Sequence, residues 1–322
     1  MPGIAVAGTV LVDKINEIAR YPMAGELTEI TGLQRAVGGC VPNVAIDLKT
    51  LSPSTAVYAV GRTGQDEDGA FVHEELSRRG VDVRFLRADP SSRTSFSEVM
   101  SVAGGQRTFF TYAGASADFC REDVDLSALP VSMLHLGYFL LLDKIDAGDG
   151  LRLLRDAREK GIRTSADLVS NNAGAYFKVL PCLPYIDDLI VNETEAGGLA
   201  GIPPLDENLR AIAEKLRALG VKGRVIIHKP DVSVCLSERG FTVVSSYELP
   251  AGYIQGTTGA GDAFCAGCLL GICAGESDEA ILSFGSAAAV SALGAADAVS
   301  GMRSAEEAVA LCKKFERKKI CL

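Results

Sequence analysis

The most specific segment of the chain is Gly256-Thr257-Thr258-Gly259-Ala260-Gly261-Asp262-Ala263-Phe264. Its three glycines and two threonines predict a loop rather than a regular element. The small, apolar residues 263–273 that follow predict a helix. A loop that leads into a helix N-terminus presents unpaired backbone N–H groups and the positive end of the helix dipole. The segment therefore predicts an anion-binding site.

Asp262 places a carboxylate where an incoming anion would also lie. This arrangement makes chemical sense if the carboxylate removes a proton from a hydroxyl group that attacks a bound phosphate. The alternative is that Asp262 only caps the helix. The segment alone leaves both interpretations open, so other residues have to decide between them.

The composition is that of an ordinary globular protein. The chain has 322 residues, of which 48% are hydrophobic and 23% charged, and its formal net charge is -9. An acidic chain is a poor candidate for binding nucleic acid or an anionic membrane. Nine scattered cysteines favour a reducing compartment. The N-terminal residues 4–8 predict a buried strand rather than a signal peptide, so we expect a cytoplasmic protein.

Apolar runs that are rich in Val, Ile and Leu alternate with amphipathic segments of helical length. This alternation predicts a largely parallel sheet with helices on both faces. The predicted strands are 4–7, 55–60, 133–136, 163–167, 188–191 and 225–228. The predicted helices are 43–50, 69–79, 150–160, 209–219, 262–274, 278–293 and 305–317.

Two segments interrupt this alternation. Residues 15–37 show no strong helical pattern, and residues 94–113 alternate as strands do around Gly104-Gly105, which is a hairpin signal. We predict an antiparallel flap over the carboxyl ends of the parallel strands, where a lid that excludes water belongs. The alternative is a hairpin with no role in the site.

Further candidate residues lie near the first predicted strand. Gly38-Gly39-Cys40-Val41-Pro42-Asn43 is a second glycine-rich turn that leads into a helix, and Asn43 is its expected N-cap. Glycine here lets a ligand approach the backbone closely. Asp13 lies in a region where such sheets bind ligands, and its carboxylate could accept hydrogen bonds from polyol hydroxyls. The alternative for Asp13 is a solvated turn residue.

Asn192-Glu193-Thr194-Glu195 directly follows the predicted strand 188–191. One helical turn puts Asn192 and Glu195 on the same side, where an amide and a carboxylate would suit hydrated Mg²⁺. Alternatively, the two residues form a capping box, and spacing alone favours the capping box. The chain has no Gly-x-x-x-x-Gly-Lys-Ser/Thr segment and no Gly-x-Ser-x-Gly segment, which excludes P-loop enzymes and nucleophile-elbow hydrolases.

Together these motifs resemble those of the ribokinase-like, or PfkB-type, carbohydrate kinases. Besides the segments around Gly38 and Asp262, residues 61–69 resemble the family's Gly-x-x-Gly-x-Asp-x-x-Gly turn. Gly105-Gln106-Arg107-Thr108-Phe109 resembles a lid strand, and Asn192-x-x-Glu195 resembles a motif associated with Mg²⁺ and phosphate. The five motifs occur in the family's order along nearly the whole chain.

The resemblance implies a single three-layer α/β/α domain over residues 1–322, with a mostly parallel central sheet. A small lid of β-strands would arise from insertions at about 14–37 and 94–113. The implied reaction transfers the γ-phosphate of ATP to a sugar hydroxyl, with Asp262 as the general base. The backbone amides of Gly259, Ala260 and Gly261 would stabilise the phosphate charge that develops.

The resemblance also implies binding residues. The substrate residues would be Asp13, Gly38, Gly39, Asn43 and Arg107. The ATP and Mg²⁺ site would involve Asn192, Glu195, His228, Thr258, Gly259, Gly261 and Ala288, with Glu195 acting on the metal through water.

Two departures from the family pattern concern the cofactors. Many relatives have Asp at the position of Gly256, where it helps to bind a monovalent cation, so we do not expect potassium activation. The family often has Thr-x-Gly after the strand that ends at His228, whereas this chain continues Lys229-Pro230-Asp231. The loop that contacts the nucleotide phosphates is therefore expected to differ.

Two other functions suit the same fold. A nucleoside kinase would need an aromatic platform, for which the lid offers Phe96, Phe109, Phe110 and Tyr112. A sensor that binds nucleotide or sugar without catalysis would not need Asp262. The lid aromatics could instead form a homodimer contact, and neither the sugar nor the role of Arg107 toward a substrate phosphate follows from the sequence.

Overall fold

The computed structural model describes residues 3–102, 107–170 and 174–320. Its strands are β1 (Gly3–Gly8), β2 (Leu11–Ile18), β3 (Ile30–Gly38), β4 (Val57–Gly64), β5 (Asp82–Asp89), β6 (Ser95–Ser101), β7 (Arg107–Tyr112), β8 (Val131–Phe139), β9 (Arg163–Leu168), β10 (Asp188–Asn192), β11 (Arg224–His228), β12 (Val232–Ser237) and β13 (Gly240–Ser245). Its α-helices are α1 (Cys40–Leu51), α2 (Glu67–Arg78), α3 (Gly114–Ala117), α4 (Gly150–Glu159), α5 (Glu193–Ala200), α6 (Leu209–Ala218), α7 (Ala260–Cys273), α8 (Asp278–Leu293) and α9 (Ala305–Cys312).

The main sheet has nine strands in the order β13-β12-β11-β10-β9-β8-β1-β4-β5. All neighbouring strands from β11 to β5 pair in parallel, and only β12 and β13 pair in antiparallel fashion. Two separate apolar cores cover its faces, because α1, α7 and α8 pack into one core while α4, α5 and α6 pack into the other. The predicted three-layer architecture is therefore confirmed.

Each predicted strand and helix corresponds to an observed element, with ends that differ by a few residues. The sequence analysis missed the outer strands β5, β12 and β13. Strand β5 contains several charged side chains and lies at the edge of the sheet, so its pattern lacks the continuous apolar run of a buried parallel strand. Strands β12 and β13 are only six residues each and lie outside the parallel part.

The two interrupting segments form a separate four-stranded sheet, which we call the lid sheet, in the order β3-β2-β6-β7. Strands β2 and β3 pair in antiparallel fashion, as do β6 and β7, while β2 and β6 run parallel. The sheet begins at Leu11, slightly earlier than expected. The predicted turn at Gly104-Gly105 lies outside the described residues.

One predicted helix boundary was wrong. Helix α1 begins at Cys40 with Gly39 as its N-cap, so Asn43 lies within the helix rather than at its cap. Gly39 has a positive φ of 85°, a conformation that glycine adopts readily, and Pro42 is tolerated in the first turn because no N–H is needed there. The earlier start turns the Asn43 side chain into the protein interior, where it is 4% exposed.

The parallel strands bring residues from distant parts of the chain to one edge of the main sheet. Tyr138, Asp167, Asn192 and His228 all lie at or next to the carboxyl ends of their strands β8, β9, β10 and β11. Ligands of open α/β sheets bind outside these ends. No described helix is both long and apolar enough to cross a membrane.

Candidate active site

Helix α7 begins at the glycine-rich loop, as the sequence predicts. Gly259 is its N-cap with a φ of 79°, and the backbone N–H groups of Gly259, Gly261 and Asp262 donate to no described residue. The Ala260 N–H does not belong to this set, because it donates to the Thr257 carbonyl at 3.3 Å. Three such amides at the positive end of a helix are the donors that an anion site requires. The expected trio of Gly259, Ala260 and Gly261 remains a prediction, in which the Ala260 N–H already has an acceptor within the loop.

Asp262 lies in the first turn of α7 and is 5% exposed. Its Oδ2 atom accepts hydrogen bonds from Asn43 Nδ2 at 2.9 Å and from the Tyr138 hydroxyl at 3.0 Å. No described residue donates to Oδ1, and the side chain lines a cavity of about 270 Å³. Since the carboxylate makes no capping bond to the helix, the interpretation of Asp262 as a simple cap is wrong.

Burial and the nearby Asp167 carboxylate raise the pKa of Asp262 to about 7, against the opposing effect of its two hydrogen bonds. A carboxylate with such a pKa can take a proton near neutral pH, which an ordinary aspartate does poorly. The cavity beside this carboxylate, which we call the Asp262 cavity, is lined by Tyr138, Asp167, Leu168, Val169, Ser170, Ile190, Asn192, Glu195, His228, Gly259, Gly261, Asp262 and Cys265.

Sequence analysis missed Tyr138 and Asp167. The Asp167 Oδ1 atom accepts a hydrogen bond from the Tyr138 backbone N–H at 2.6 Å, and Asp167 is 7% exposed. A signal for Asp167 did exist, because a carboxylate ends the predicted strand 163–167 at the edge where ligands bind. Tyr138 gave no such signal, since its role depends on a contact with Asp262, which lies 124 residues away.

Asn192 and Glu195 form the capping box of α5, so the capping interpretation is confirmed. Glu195 Oε1 also accepts from Ser170 Oγ at 2.9 Å, and burial raises the Glu195 pKa to about 7. Each Glu195 oxygen accepts at least one protein hydrogen bond. These contacts suit a role on hydrated Mg²⁺ through water rather than direct ligation.

A second cavity of about 550 Å³, which we call the α8 groove, adjoins the Asp262 cavity and shares Asn192, His228 and Gly261 with it. The His228 ring packs against Phe264 with centroids 4.8 Å apart, and burial lowers the His228 pKa to about 4, so the imidazole is neutral. Helix α8 contributes Ser286 and Ala289 to this groove. Ala288 is not among the lining residues: it is fully buried in the apolar core, because the helical period turns it away.

A third cavity of about 570 Å³, the lid pocket, lies between the lid sheet and the 254–258 loop. Arg107 reaches across it and donates to Thr258 Oγ1 at 3.2 Å and to the Ala296 carbonyl at 3.1 Å. Thr258 was expected near the nucleotide but lies on the lid side, whereas its neighbour Thr257 lines both cavities. Both threonines therefore contact the lid pocket, and Thr257 alone also contacts the α8 groove.

Asp13 lies on β2 of the lid sheet, where its backbone pairs with β3 and β6, and no described residue donates a hydrogen bond to its carboxylate. Burial raises its pKa to about 6, and the Arg107 charge opposes this shift. Its carboxylate lies close to the backbone of Gly38, because a Cβ atom at position 38 would be 2.4 Å from Asp13 Oδ2. A Cβ at Gly39 would be 2.6 Å from the Thr9 carbonyl. Both glycines are required for this close packing.

The two departures from the family pattern have local structural counterparts. A Cβ atom at Gly256 would be 2.7 Å from the Ala296 carbonyl oxygen, so an aspartate there would require the 295–296 backbone to move. After β11, Lys229 forms an ion pair with Asp206. Its charge is thus already partnered within the protein.

A nine-stranded sheet between two layers of helices, together with a four-stranded lid sheet and a buried aspartate beside free amides, is the arrangement of a ribokinase-like α/β phosphotransferase. The family model of "pfkB family carbohydrate kinase" matches residues 1–305. The chain belongs to this family and is a phosphotransferase with an alcohol group as acceptor.

Named relatives support this assignment. The chain is 29% identical to a ribokinase of Arabidopsis thaliana over 89% of this chain and 75% of the relative. It is 28% identical to fructokinase-1 of Oryza sativa subsp. japonica over 80% and 79% of the two chains. The solved structure of Arabidopsis thaliana ribokinase complexed with ribose and ATP superposes with a TM-score of 0.82 and 25% identity, and covers 97% of this chain and 99% of that chain.

Proposed function

We propose that this protein is an ATP-dependent sugar kinase in which Asp262 is the general base. One observation carries the proposal: the free Oδ1 atom of the buried Asp262 lies in the same cavity as the unpaired amides at the start of α7. A base and an anion site side by side are what phosphoryl transfer to a hydroxyl group requires. A protein that only binds its ligands would need the amides but not a base with a raised pKa.

The reaction follows from these positions. When bound, MgATP supplies the γ-phosphoryl group and a divalent charge that offsets developing negative charge. Asp262 Oδ1 takes the proton of the sugar hydroxyl while its oxygen forms the new bond to phosphorus and the bond to ADP breaks. The amides of Gly259, Gly261 and Asp262 stabilise the charge on the phosphoryl oxygens in transit.

The residues around the two inner cavities fit the cofactors. A groove of about 550 Å³ with apolar and polar walls is large enough for a nucleotide. Gly259 lacks the Cβ that would strike Ala298 atoms at 2.6 Å, so the loop can curve tightly around a phosphate. Asn192 and Glu195 would orient water molecules of a hydrated Mg²⁺ ion.

The substrate would lie between Asp262 and the lid sheet. We place its hydroxyl groups against Asp13, Asn43 and the backbone of Gly38 and Gly39, with Arg107 above them. The Asp13 carboxylate accepts hydrogen bonds and the Asn43 amide both donates and accepts them, as recognition of a polyol requires. Arg107 lies near Asp13 and Glu17, whose negative charges would disfavour a second phosphate on the substrate.

The lid favours a sugar over a nucleoside. Strand neighbours alternate between the two faces of a sheet, and Phe109 lines the lid pocket together with Arg107. Phe96 instead packs against Tyr112 and beneath the Lys14 ammonium on the opposite face. Phe110 follows Phe109 and therefore faces away from the pocket as well. Of the four candidate aromatics, only Phe109 is available as a platform for a base.

A substrate panel tests the proposal. The purified protein is assayed for ADP release with MgATP and ribose, fructose, sugar phosphates and nucleosides. We expect an unphosphorylated sugar to give a kcat/KM at least about a hundredfold above every nucleoside, because only Phe109 of the four lid aromatics is available to stack the base that a nucleoside adds to its ribose. A nucleoside as the best substrate would instead favour the nucleoside kinase alternative. Tight ATP binding without turnover on any compound would favour the sensor.

We further propose that the lid sheet pairs with that of a second copy. Strands β3 and β7 are open edges, and Leu33, Phe110 and Tyr112 expose apolar surface on the face that points away from the pocket. Multi-angle light scattering should give a dimer for the wild type at about 20 µM and a monomer for Leu33→Glu. The control Leu219→Glu, on an exposed helix end, should stay dimeric. A monomeric wild type would contradict the proposal.

The cytoplasm remains the expected compartment for this reaction. Every cysteine of the described residues is a free thiol, and most of them are buried. Free thiols suit a reducing compartment.

A further inference from the structure

The orientation of Asp262 is set by two donors on two different elements. Asn43 comes from α1 and Tyr138 from the end of β8, and both donate to the same oxygen, Oδ2. A carboxylate with only one donor can still rotate about that bond, whereas two donors on different elements restrict this rotation. The Oδ1 atom, which must meet the substrate hydroxyl, is then held at one position in the cavity.

Tyr138 reaches Asp262 through an unusual backbone. Its φ is 58°, in the left-handed region that residues with side chains rarely occupy, and it is one of two such residues in the described chain. A conformation of this kind persists only where its surroundings fix it, and it clusters at functional sites. The local sequence provides no glycine at this position, so the strain has to be offset by contacts.

Asp167 provides the main contact. Its Oδ1 atom accepts from the Tyr138 N–H at 2.6 Å, and its Oδ2 atom lies 3.4 Å from His135 Nε2. His135 is fully buried and pairs through Nδ1 with Ser165 Oγ at 3.0 Å. A buried series Ser165, His135, Asp167 and Tyr138 therefore leads across β8 and β9 to the candidate base.

We propose that Tyr138 is a positioning residue, whose hydroxyl, together with Asn43, holds the Asp262 carboxylate so that Oδ1 faces the acceptor hydroxyl, and that Asp167 holds Tyr138 in place. The inference rests on the proposed function, because it assigns a task at the same base. It assigns tasks to Tyr138 and Asp167, which the sequence analysis did not name as site residues.

Tyr138 and Asp167 shift the pKa of Asp262 in opposite directions. The Tyr138 hydroxyl donates to the ionised carboxylate and lowers the pKa of Asp262, whereas the Asp167 charge raises it. The other titratable or charged groups that face Asp262 lie on α1, α5 and α7 and are Cys40, Asp47, Glu195 and Cys265. Of these four, Glu195 raises the pKa of Asp262, whereas the Asp262 charge raises the pKa of Cys40, Asp47 and Cys265. A base must be ionised to act, so turnover is lost as the pH falls through its pKa.

The test is the pH profile of kcat/KM for the best sugar, measured on the full chain at saturating MgATP from pH 5 to 9.5. The wild type should lose activity below about pH 7. In Tyr138→Phe the acidic midpoint should rise by about one pH unit, since a hydrogen bond to a charged group is lost. The variant should then be about tenfold slower at pH 6 but within about threefold of the wild type at pH 9.

Asp167→Asn should shift the acidic midpoint of the pH profile in the opposite direction. Asparagine keeps an acceptor oxygen for the Tyr138 N–H but removes the negative charge, so the acidic midpoint should fall below that of the wild type. Tyr58→Phe is the matched control for loss of a phenol hydroxyl, because Tyr58 lies at the start of β4 and packs edge-on against Phe85. Its profile should coincide with that of the wild type.

The outcomes separate this inference from the proposed function. A Tyr138→Phe profile with both its midpoint and its high-pH plateau unmoved from those of the wild type would overturn the positioning role while leaving Asp262 as base. Full turnover of Asp262→Asn would overturn the proposed function itself. Thermal unfolding of each variant serves as the check on folding, and the midpoint of the pH profile does not depend on how much enzyme is folded.

Discussion

Asp262→Asn should lower kcat about a thousandfold and leave the affinity for ATP within a few-fold of the wild type. Asparagine has the same shape and can still accept hydrogen bonds from Asn43 and Tyr138, so the first turn of α7 should keep its structure. It cannot take a proton from the sugar hydroxyl. The predicted loss therefore falls on the chemical step, and steady-state ADP release together with calorimetric ATP binding measures the two parts separately.

A second variant tests whether an Asp→Asn substitution far from the cavity also lowers turnover. Asp82 lies on the outer strand β5, where it pairs with Arg84 far from the cavity. Asp82→Asn should keep wild-type turnover, since exposed ion pairs of this kind contribute little. If Asp262→Asn turned over sugar at a rate close to that of Asp82→Asn, Asp262 would not be the base, and the free amides of α7 would have to act without one.

The sequence was sufficient for those parts of the site that depend on local structure. A glycine-rich loop before an apolar segment predicts a helix N-terminus, because glycine supplies the positive φ that Gly259 adopts. The capping box at Asn192 is likewise a matter of spacing within one helical turn. The strands of the parallel core were predictable because burial on both faces demands continuous apolar runs.

What the sequence could not provide is the pairing of residues from different strands. The hydroxyl of Tyr138 meets Asp262 only because β8 ends beside the start of α7, and nothing in the local pattern around Tyr138 signals a left-handed backbone. The burial of Ala288 in the apolar core and the position of Thr258 at the lid pocket have a related origin. Which side of a helix or loop faces the ligand is decided by packing against elements far away in the chain, which the local pattern does not contain.

The shape of the proposed anion site depends on the absence of a side chain at Gly259. A Cβ atom there would lie 2.6 Å from three atoms of Ala298, which is well inside van der Waals contact. The φ of 79° adds a further penalty for any residue other than glycine. The loop would have to move away from the 295–300 segment, and the amides of Gly259 and Gly261 would move with it.

We therefore expect Gly259→Ala to lose about a hundredfold in kcat, because a displacement of about 1 Å at the reacting groups has an effect of this size. Its free energy of unfolding should fall by about 3 kcal/mol, the combined effect of backbone strain and overpacking. Urea denaturation and ADP release measure the two losses.

Gly252 offers a matched control on the same connection. It has the same φ of 79°, but a Cβ atom there would meet nothing within 4 Å. Gly252→Ala should therefore lose only about 1 kcal/mol of stability and keep its turnover. If the two variants lost turnover equally, backbone strain rather than the clash with Ala298 would be responsible. If Gly259→Ala kept its turnover, the amides of this loop would not need their observed positions, and electrostatic stabilisation of the phosphoryl group would have to come from elsewhere in the cavity.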